Sequence, residues 1–144
     1  FLKIENNSEH RFEIVDTIEG TIFINDSKST NFHSLSTAST KVNNGLLIMH
    51  GMTKNIPNNE INISKGISKV IIPKNMQVNR NELNCEVIEI ESIFNLEDYL
   101  INHYMDFDAI LFSCGGSSFD DFKNYKERGE FFKKIVKNIK KDKY

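Results

Sequence analysis

Residues 23–34, FINDSKSTNFHS, place several groups that can bind a charged ligand in one turn. A strand-like apolar run ends at Asp26, and Lys28, Thr30 and Asn31 follow before a helical pattern begins. An ammonium group can bind a carboxylate or a phosphate, hydroxyls can donate to the same groups, and a carboxylate can accept from ligand hydroxyls. These residue types predict a site for a small anionic ligand.

Two further polar loops also follow predicted strands. HGMTK (50–54) comes after an apolar run and supplies Lys54, and SCGGSSFD (113–120) comes after another and supplies Ser118. In open α/β sheets, ligands bind at the carboxyl ends of the strands, where loops meet helix amino-termini. The three loops are therefore predicted to line one edge of a sheet, with groups suited to a small dicarboxylate and a nucleotide phosphate.

Each loop also has an ordinary structural interpretation. Residues 26–31 include several good helix caps, Lys28 can be solvated, and Lys54 can be a surface lysine. The glycines and serines at 115–118 can form a tight turn and a cap. The coincidence of three such loops, rather than any one of them, favours a binding site.

The elements that position these loops follow from the periodicity. Two β-rich runs around Glu19 and Gly20 predict a hairpin, and further strands are predicted at 45–50, 69–73, 85–90 and 108–113. Helices are predicted at 32–41, 79–83, 95–105 and 119–141, with a loop and a short helix between 51 and 68. Strands that alternate with helices predict one α/β domain over residues 1–144, a Rossmann-like three-layer sandwich whose mainly parallel sheet has an antiparallel edge strand. Within the helix at 95–105, Leu96, Leu100 and Met105 should share a face.

The bulk composition excludes several partners. The 144 residues carry 18 Lys and Arg against 20 Asp and Glu, a formal net charge of −2, without the basic stripe expected for a nucleic-acid partner. No apolar run approaches the ~20 residues that span a bilayer, so no membrane partner is expected. Two cysteines make no disulfide framework, which favours a reducing compartment, the cytoplasm.

Two segments carry a family resemblance. HRFEIVDTIEGTIFINDSKSTN (10–31) and AILFSCGGSSFDDFKNYKERGEFFKKIV (109–136) resemble the carboxy-terminal domain of the bacterial Mur ligases of peptidoglycan synthesis, in the branch that adds D-glutamate. Asp-Ser-Lys followed by Thr-Asn and the ending Ser-Phe-Asp-x-Phe-Lys-Asn-Tyr-x-x-Arg-Gly are typical of that branch. Two alternatives remain open, another domain of the Mur or folylpolyglutamate ligase type and a stand-alone α/β binding module without chemistry.

The resemblance implies substrates and roles. Family members use ATP to form an acyl phosphate on the nucleotide-linked substrate, UDP-N-acetylmuramoyl-L-alanine, and the amine of D-glutamate then attacks it. Lys28 matches a catalytic lysine that faces the cleft, and Arg11 and Asp26 match residues that contact ATP. The positions that match D-glutamate-binding residues are Thr30, Lys54, Ser118, Phe119 and Tyr125.

The chain also lacks some family features. It has no glycine-rich phosphate loop, so ATP and Mg²⁺ should be bound mainly by a central ATPase domain which, like the UDP-binding domain, is absent from these residues. The isolated piece is therefore predicted to be inactive and to hold no metal. His50 and Ser29 stand where the family usually has glycine and alanine. The glycines after Cys114 predict a looser turn. A thiol near a helix start can be reactive, but no catalytic role is expected for Cys114, because the sequence places no His or Asn partner beside it.

Overall fold

A computed structural model describes residues 8–53, 61–119 and 121–143. Six strands form one sheet in the order β1-β2-β6-β3-β4-β5, in which only β1 and β2 pair antiparallel. The strands are β1 (Glu13–Ile18), β2 (Thr21–Asp26), β3 (Gly45–His50), β4 (Ile67–Pro73), β5 (Glu86–Ile90) and β6 (Ala109–Gly115). The predicted mainly parallel sheet with an antiparallel edge strand is confirmed.

The opening hairpin forms where the sequence predicts it. Glu19 and Gly20 both have positive φ, 49° and 87°, as a two-residue turn between antiparallel strands requires. A register shift between Ile14 and Asp16 marks a bulge in β1, and Ile14 is 57% exposed on this edge strand. The hairpin therefore places β2, the strand that leads into the first loop, inside the sheet.

Helices cover both faces of the sheet. Every residue of β3 and β6 is buried, and alternate side chains point to opposite faces: Leu46 and Ile48 join one hydrophobic cluster, while Leu47 and Met49 join the other. α2 (Leu96–His103) and α3 (Tyr125–Lys143) pack in the first cluster, and α1 (Phe32–Ser39) packs in the second. The three-layer prediction is thus confirmed.

The closing helix begins later than predicted. It starts at Tyr125 rather than at 119, because the side-chain oxygen of Asn124 accepts a hydrogen bond from the backbone N–H of Glu127 at 2.9 Å. Such a cap satisfies a helix-start N–H that has no partner within the helix. Residues 119–124, except the undescribed 120, are therefore loop, and they join the candidate site.

The face predicted for the helix at 95–105 is only partly right. Leu96 and Leu100 are fully buried, but Met105 is 56% exposed. After His103 the chain tightens into a 3-10 turn over Tyr104–Asp106, which turns Met105 outward and buries Tyr104 instead.

Two predicted short helices also differ. The one at 79–83 is a 3-10 turn, Arg80–Glu82, and residues 61–66 contain no helix, whereas 54–60 lie outside the described residues. None of the helices in the described ranges is long and apolar enough to cross a membrane.

Candidate functional site

The three polar loops meet, as the sequence predicts, at one edge of the sheet. They follow β2, β6 and β3, which are adjacent strands and run parallel. The N–H of Gly115 donates to the carbonyl of Ser29 at 2.9 Å, and Met52 and Ser117 exchange two backbone hydrogen bonds of 2.9 Å each. The first loop is thus bonded to the third, and the third to the second.

Two glycines permit this close approach. A Cβ on Gly51, whose φ is +119°, would collide with the carbonyl oxygen of Ser117, and a Cβ on Gly116 would lie 2.9 Å from the backbone carbon of Gly51. Only residues without a side chain fit where these loops cross. The glycines after Cys114 were expected to loosen the turn, but Gly116 lets it pack tightly against the second loop.

A buried arginine of α3 binds all three loops. Arg128 is fully buried, and its guanidinium donates to the Ser27 hydroxyl (2.9 Å) and carbonyl (2.7 Å) in the first loop. It also donates to the carbonyl of Gly116 (2.8 Å) in the third loop and to that of His50 (3.3 Å) at the end of β3. Five N–H donors on a rigid plane suit such a role. Arg128 therefore fixes the three loops relative to one another.

His50 extends this network toward the start of α3. Its Nδ1 lies 3.2 Å from the Arg128 guanidinium, which can only donate, so Nδ1 accepts. The proton of neutral His50 is then on Nε2, which donates to a carboxylate oxygen of Asp121 at 2.7 Å. His50, which replaces the family's usual glycine, therefore takes part in the hydrogen bonds that hold the three loops together. Sequence reasoning missed both Arg128 and Asp121; Arg128 is the arginine of the quoted Ser-Phe-Asp ending, whereas Asp121 is the unspecified residue after its aspartate.

A groove runs between the first loop and α1. We call it the α1 groove; its volume is about 260 Å³. Its lining residues are Arg11, Phe12, Asp26, Lys28, Ser29, His33, Ser34, Thr37, Ala38 and Lys41. The structure therefore brings together the two residues matched to ATP contacts and the lysine matched to a catalytic role.

Asp26 is not a helix cap. It is buried, and its two carboxylate oxygens accept from the Phe12 N–H at 2.8 Å and from the Ser113 hydroxyl at 2.7 Å. Burial raises the pKa of this carboxyl above its ordinary value, although both hydrogen bonds oppose the rise. The cap of α1 is Asn31, whose side chain accepts from the Ser34 N–H at 2.9 Å.

Lys28 faces the groove. Its ammonium lies 5.6 Å from the centre of the Tyr125 ring, and it forms no ion pair with the residues that the structure describes. A half-buried cation without a carboxylate partner remains available to a ligand. The structure thus places Lys28 beside Tyr125, one of the five positions matched to D-glutamate.

The other four matched positions are less closely assembled. Thr30 is exposed beside the start of α1, Ser118 is buried, and Phe119 is 76% exposed and lines a separate open depression with Asp121. Lys54 lies outside the described residues. A second cavity of about 170 Å³ adjoins the second loop, lined by His50, Gly51, Met52, Thr53, Asn75, Gln77 and Asp121. Their assignment to one ligand stays a prediction.

Two other groups have no role at this site. Cys114 is fully buried, and burial raises the pKa of its thiol to about 12, so it is protonated and not the reactive group considered above. Glu9, His10 and Glu130 bring potential metal ligands together, but the ammonium of Lys133 binds Glu9 at 2.9 Å and Glu130 at 3.6 Å. The ammonium contacts the same Glu9 and Glu130 oxygens that face His10, so in this structure a lysine takes the place that a Mg²⁺ ion would need.

Comparison with known proteins gives one consistent result. The chain is 35% identical over 150 residues to the UDP-N-acetylmuramoylalanine--D-glutamate ligase of Thermosipho africanus, covering 99% of the chain and 35% of that protein. The ligases of the same name are 32% identical in Pseudothermotoga lettingae (92% of the chain, 33% of the ligase) and 34% identical in Buchnera aphidicola (96% and 33%). No protein-family model matches the chain. The chain spans about a third of the length of these curated relatives.

Proposed function

We propose that the chain is the carboxy-terminal domain of a UDP-N-acetylmuramoylalanine--D-glutamate ligase, because it is similar to these ligases over nearly its whole length. This similarity confirms the family resemblance seen in the sequence. The whole protein would join D-glutamate to UDP-N-acetylmuramoyl-L-alanine at the expense of ATP, in peptidoglycan precursor synthesis in the bacterial cytoplasm. The observation that carries this proposal is the match over 99% of the chain. The meeting of its three polar loops at one sheet edge supports it.

The proposed reaction has two steps. The γ-phosphoryl group of ATP is transferred to the L-alanyl carboxylate, which gives an acyl phosphate and ADP. The amine of D-glutamate then attacks the acyl carbon, the amide forms, and phosphate leaves with the bonding electrons of the C–O bond. Negative charge develops on the transferring phosphoryl group and on the tetrahedral intermediate, so a cation beside them lowers the barrier.

Lys28 is the residue proposed for this electrostatic role. It is half-buried in the α1 groove, its ammonium forms no ion pair with the described residues, and Arg11 lines the same groove. Asp26 would accept hydrogen bonds from the nucleotide, and Thr30, Lys54, Ser118, Phe119 and Tyr125 would surround D-glutamate. Mg²⁺, which accompanies ATP in such reactions and screens its phosphates, would be bound mainly outside this domain.

The test is ATP consumption by the whole protein that contains this chain. Phosphate release should require both D-glutamate and UDP-N-acetylmuramoyl-L-alanine, and Lys28→Ala should lower turnover by about a hundredfold or more, on the order of 3 kcal/mol of transition-state stabilisation. The melting temperature should shift little, because Lys28 forms no structural ion pair with the described residues. Release that another amino acid supports better than D-glutamate would refute the substrate assignment, and wild-type turnover by Lys28→Ala would refute the role of the lysine.

A further inference from the structure

One hydroxyl of the α1 groove is buried without a hydrogen-bond partner. Ser29 is 3% exposed, and its Oγ is the one buried side-chain N or O atom among the described residues that has no partner. Its backbone is fixed, because its N–H donates to the Asp26 carbonyl at 3.0 Å and its carbonyl accepts from Gly115 at 2.9 Å. A buried unpaired hydroxyl is unfavourable and rare in native proteins, which calls for an explanation at this position.

The groove around Ser29 is positively charged. Arg11, Lys28 and Lys41 line it, and none of these cations forms an ion pair with a residue in the described ranges. Lys41 lies with its ammonium 4.8 Å from the centre of the Phe12 ring. Among the described lining residues the only acid is Asp26, whose oxygens already accept two hydrogen bonds from the protein. Three cations and an unpaired hydroxyl fit a ligand that carries several negative oxygens.

We propose that Ser29 and Lys41 bind phosphate oxygens of the nucleotide in the α1 groove, in addition to the residues that the resemblance implies. This inference rests on the proposed function, which places ATP in this groove. The Ser29 hydroxyl would donate to a phosphate oxygen, and Lys41 would supply a third charge.

Binding requires a local rearrangement around Ser29. The Ser29 oxygen has almost no exposed surface, so the atoms that shield it must move before an anion can reach it. The lining includes Lys28 and Lys41, whose stems have four rotatable bonds each, so these two side chains can rearrange without a change in the backbone. Ligand binding would then give the hydroxyl the partner that it lacks in the free protein.

Ser29→Ala separates this role from a structural one, because stability and binding should change in opposite directions. Removing an unpaired hydroxyl should raise the melting temperature of the 144-residue chain by about 3 °C. In the whole protein the same variant should raise the KM for ATP about tenfold, since a hydrogen bond to a charged group is lost, and leave the KM for D-glutamate unchanged. Lys41→Met should also weaken ATP binding and make it less sensitive to salt.

Ser68→Ala is the matched control. Its hydroxyl has a partner, the Asn44 side-chain oxygen at 2.9 Å, so its removal should lower the melting temperature slightly and leave ATP binding unchanged. Calorimetric titration of ATP into the whole protein measures directly, without turnover, whether the Ser29 hydroxyl contributes to ATP affinity. Equal ATP affinities of wild type and Ser29→Ala would overturn the inference even if Lys28→Ala is inactive. A wild-type protein that binds ATP normally but ligates no D-glutamate would instead overturn the proposed function.

Discussion

Substitution of Arg128 should uncouple the three loops and destabilise the domain. Arg128→Met keeps much of the side-chain length and apolar stem but removes all five N–H donors. The carbonyls of Ser27 and Gly116, bound at 2.7 and 2.8 Å, lose this partner in the interior. A buried group left unsatisfied costs about 1–3 kcal/mol, so two carbonyls cost about 2–6 kcal/mol, and about 4 kcal/mol is the central expectation.

This loss is large against the total stability of a domain, which is about 5–15 kcal/mol. Buried charges can sometimes be replaced by apolar residues without cost. That exception requires both partners to be replaced, and here the partners are main-chain carbonyls, which no substitution removes. Arg128→Lys keeps the charge but has one nitrogen in place of three, and it should lose about half as much free energy.

Urea denaturation of the 144-residue chain, followed by circular dichroism, measures the difference in the free energy of unfolding. Lys134→Met is the control, because it removes an exposed cation from the same helix and should change stability by less than ~0.5 kcal/mol. If the free energy of unfolding of Arg128→Met is within ~1 kcal/mol of the wild-type value, the guanidinium does not stabilise the contacts between the three loops and this reasoning is wrong.

Three further outcomes are expected. Asp26→Asn should be at least as stable as wild type at neutral pH. The pKa of Asp26 is raised in the folded protein, so the stability of the wild type should fall as pH rises from the ordinary carboxyl pKa through the raised value. Urea midpoints measured over this pH range should show that fall for the wild type and not for Asp26→Asn. Gly129→Ala should lower the free energy of unfolding by about 1–3 kcal/mol, and with it the melting temperature, because the new methyl group collides with the His10 ring. An unchanged melting temperature would refute the contact. Thr30→Ala in the whole protein should raise the KM for D-glutamate more than that for ATP, and the reverse order would place Thr30 at the nucleotide.

The strands and their loops could be predicted because their signals are local. The apolar runs at 45–50 and 108–113 are long enough for a central strand, and Glu19 and Gly20 suit a two-residue hairpin turn. Once these strands are parallel neighbours, their carboxyl ends share one edge, so the meeting of the loops follows. The helix start at Tyr125 was also within reach, since Asn124 followed by Glu127 is a cap pattern.

The Arg128 contacts could not be predicted in the same way. Its acceptors in Ser27, His50 and Gly116 are mostly main-chain carbonyls, which every residue has and which leave no mark in the sequence. An arginine in an amphipathic, Lys-rich helix ordinarily indicates a solvated face. Only the three-dimensional approach of the loops shows that this position points inward.

The first loop shows why one segment supports both structural and functional interpretations. Ser27 and Ser29 are buried, whereas Lys28 is half-buried and Thr30 is exposed, so buried and accessible residues alternate along this loop. The inward Ser27 binds Arg128 and the Tyr125 carbonyl and belongs to the architecture. The outward Lys28 and Thr30 have no structural ion pair or capping role among the described residues, which leaves them available for a ligand. Ser29 is the exception, because it lines the α1 groove and its hydroxyl is buried without a partner, and for that reason its substitution is the sharpest test of what this groove binds.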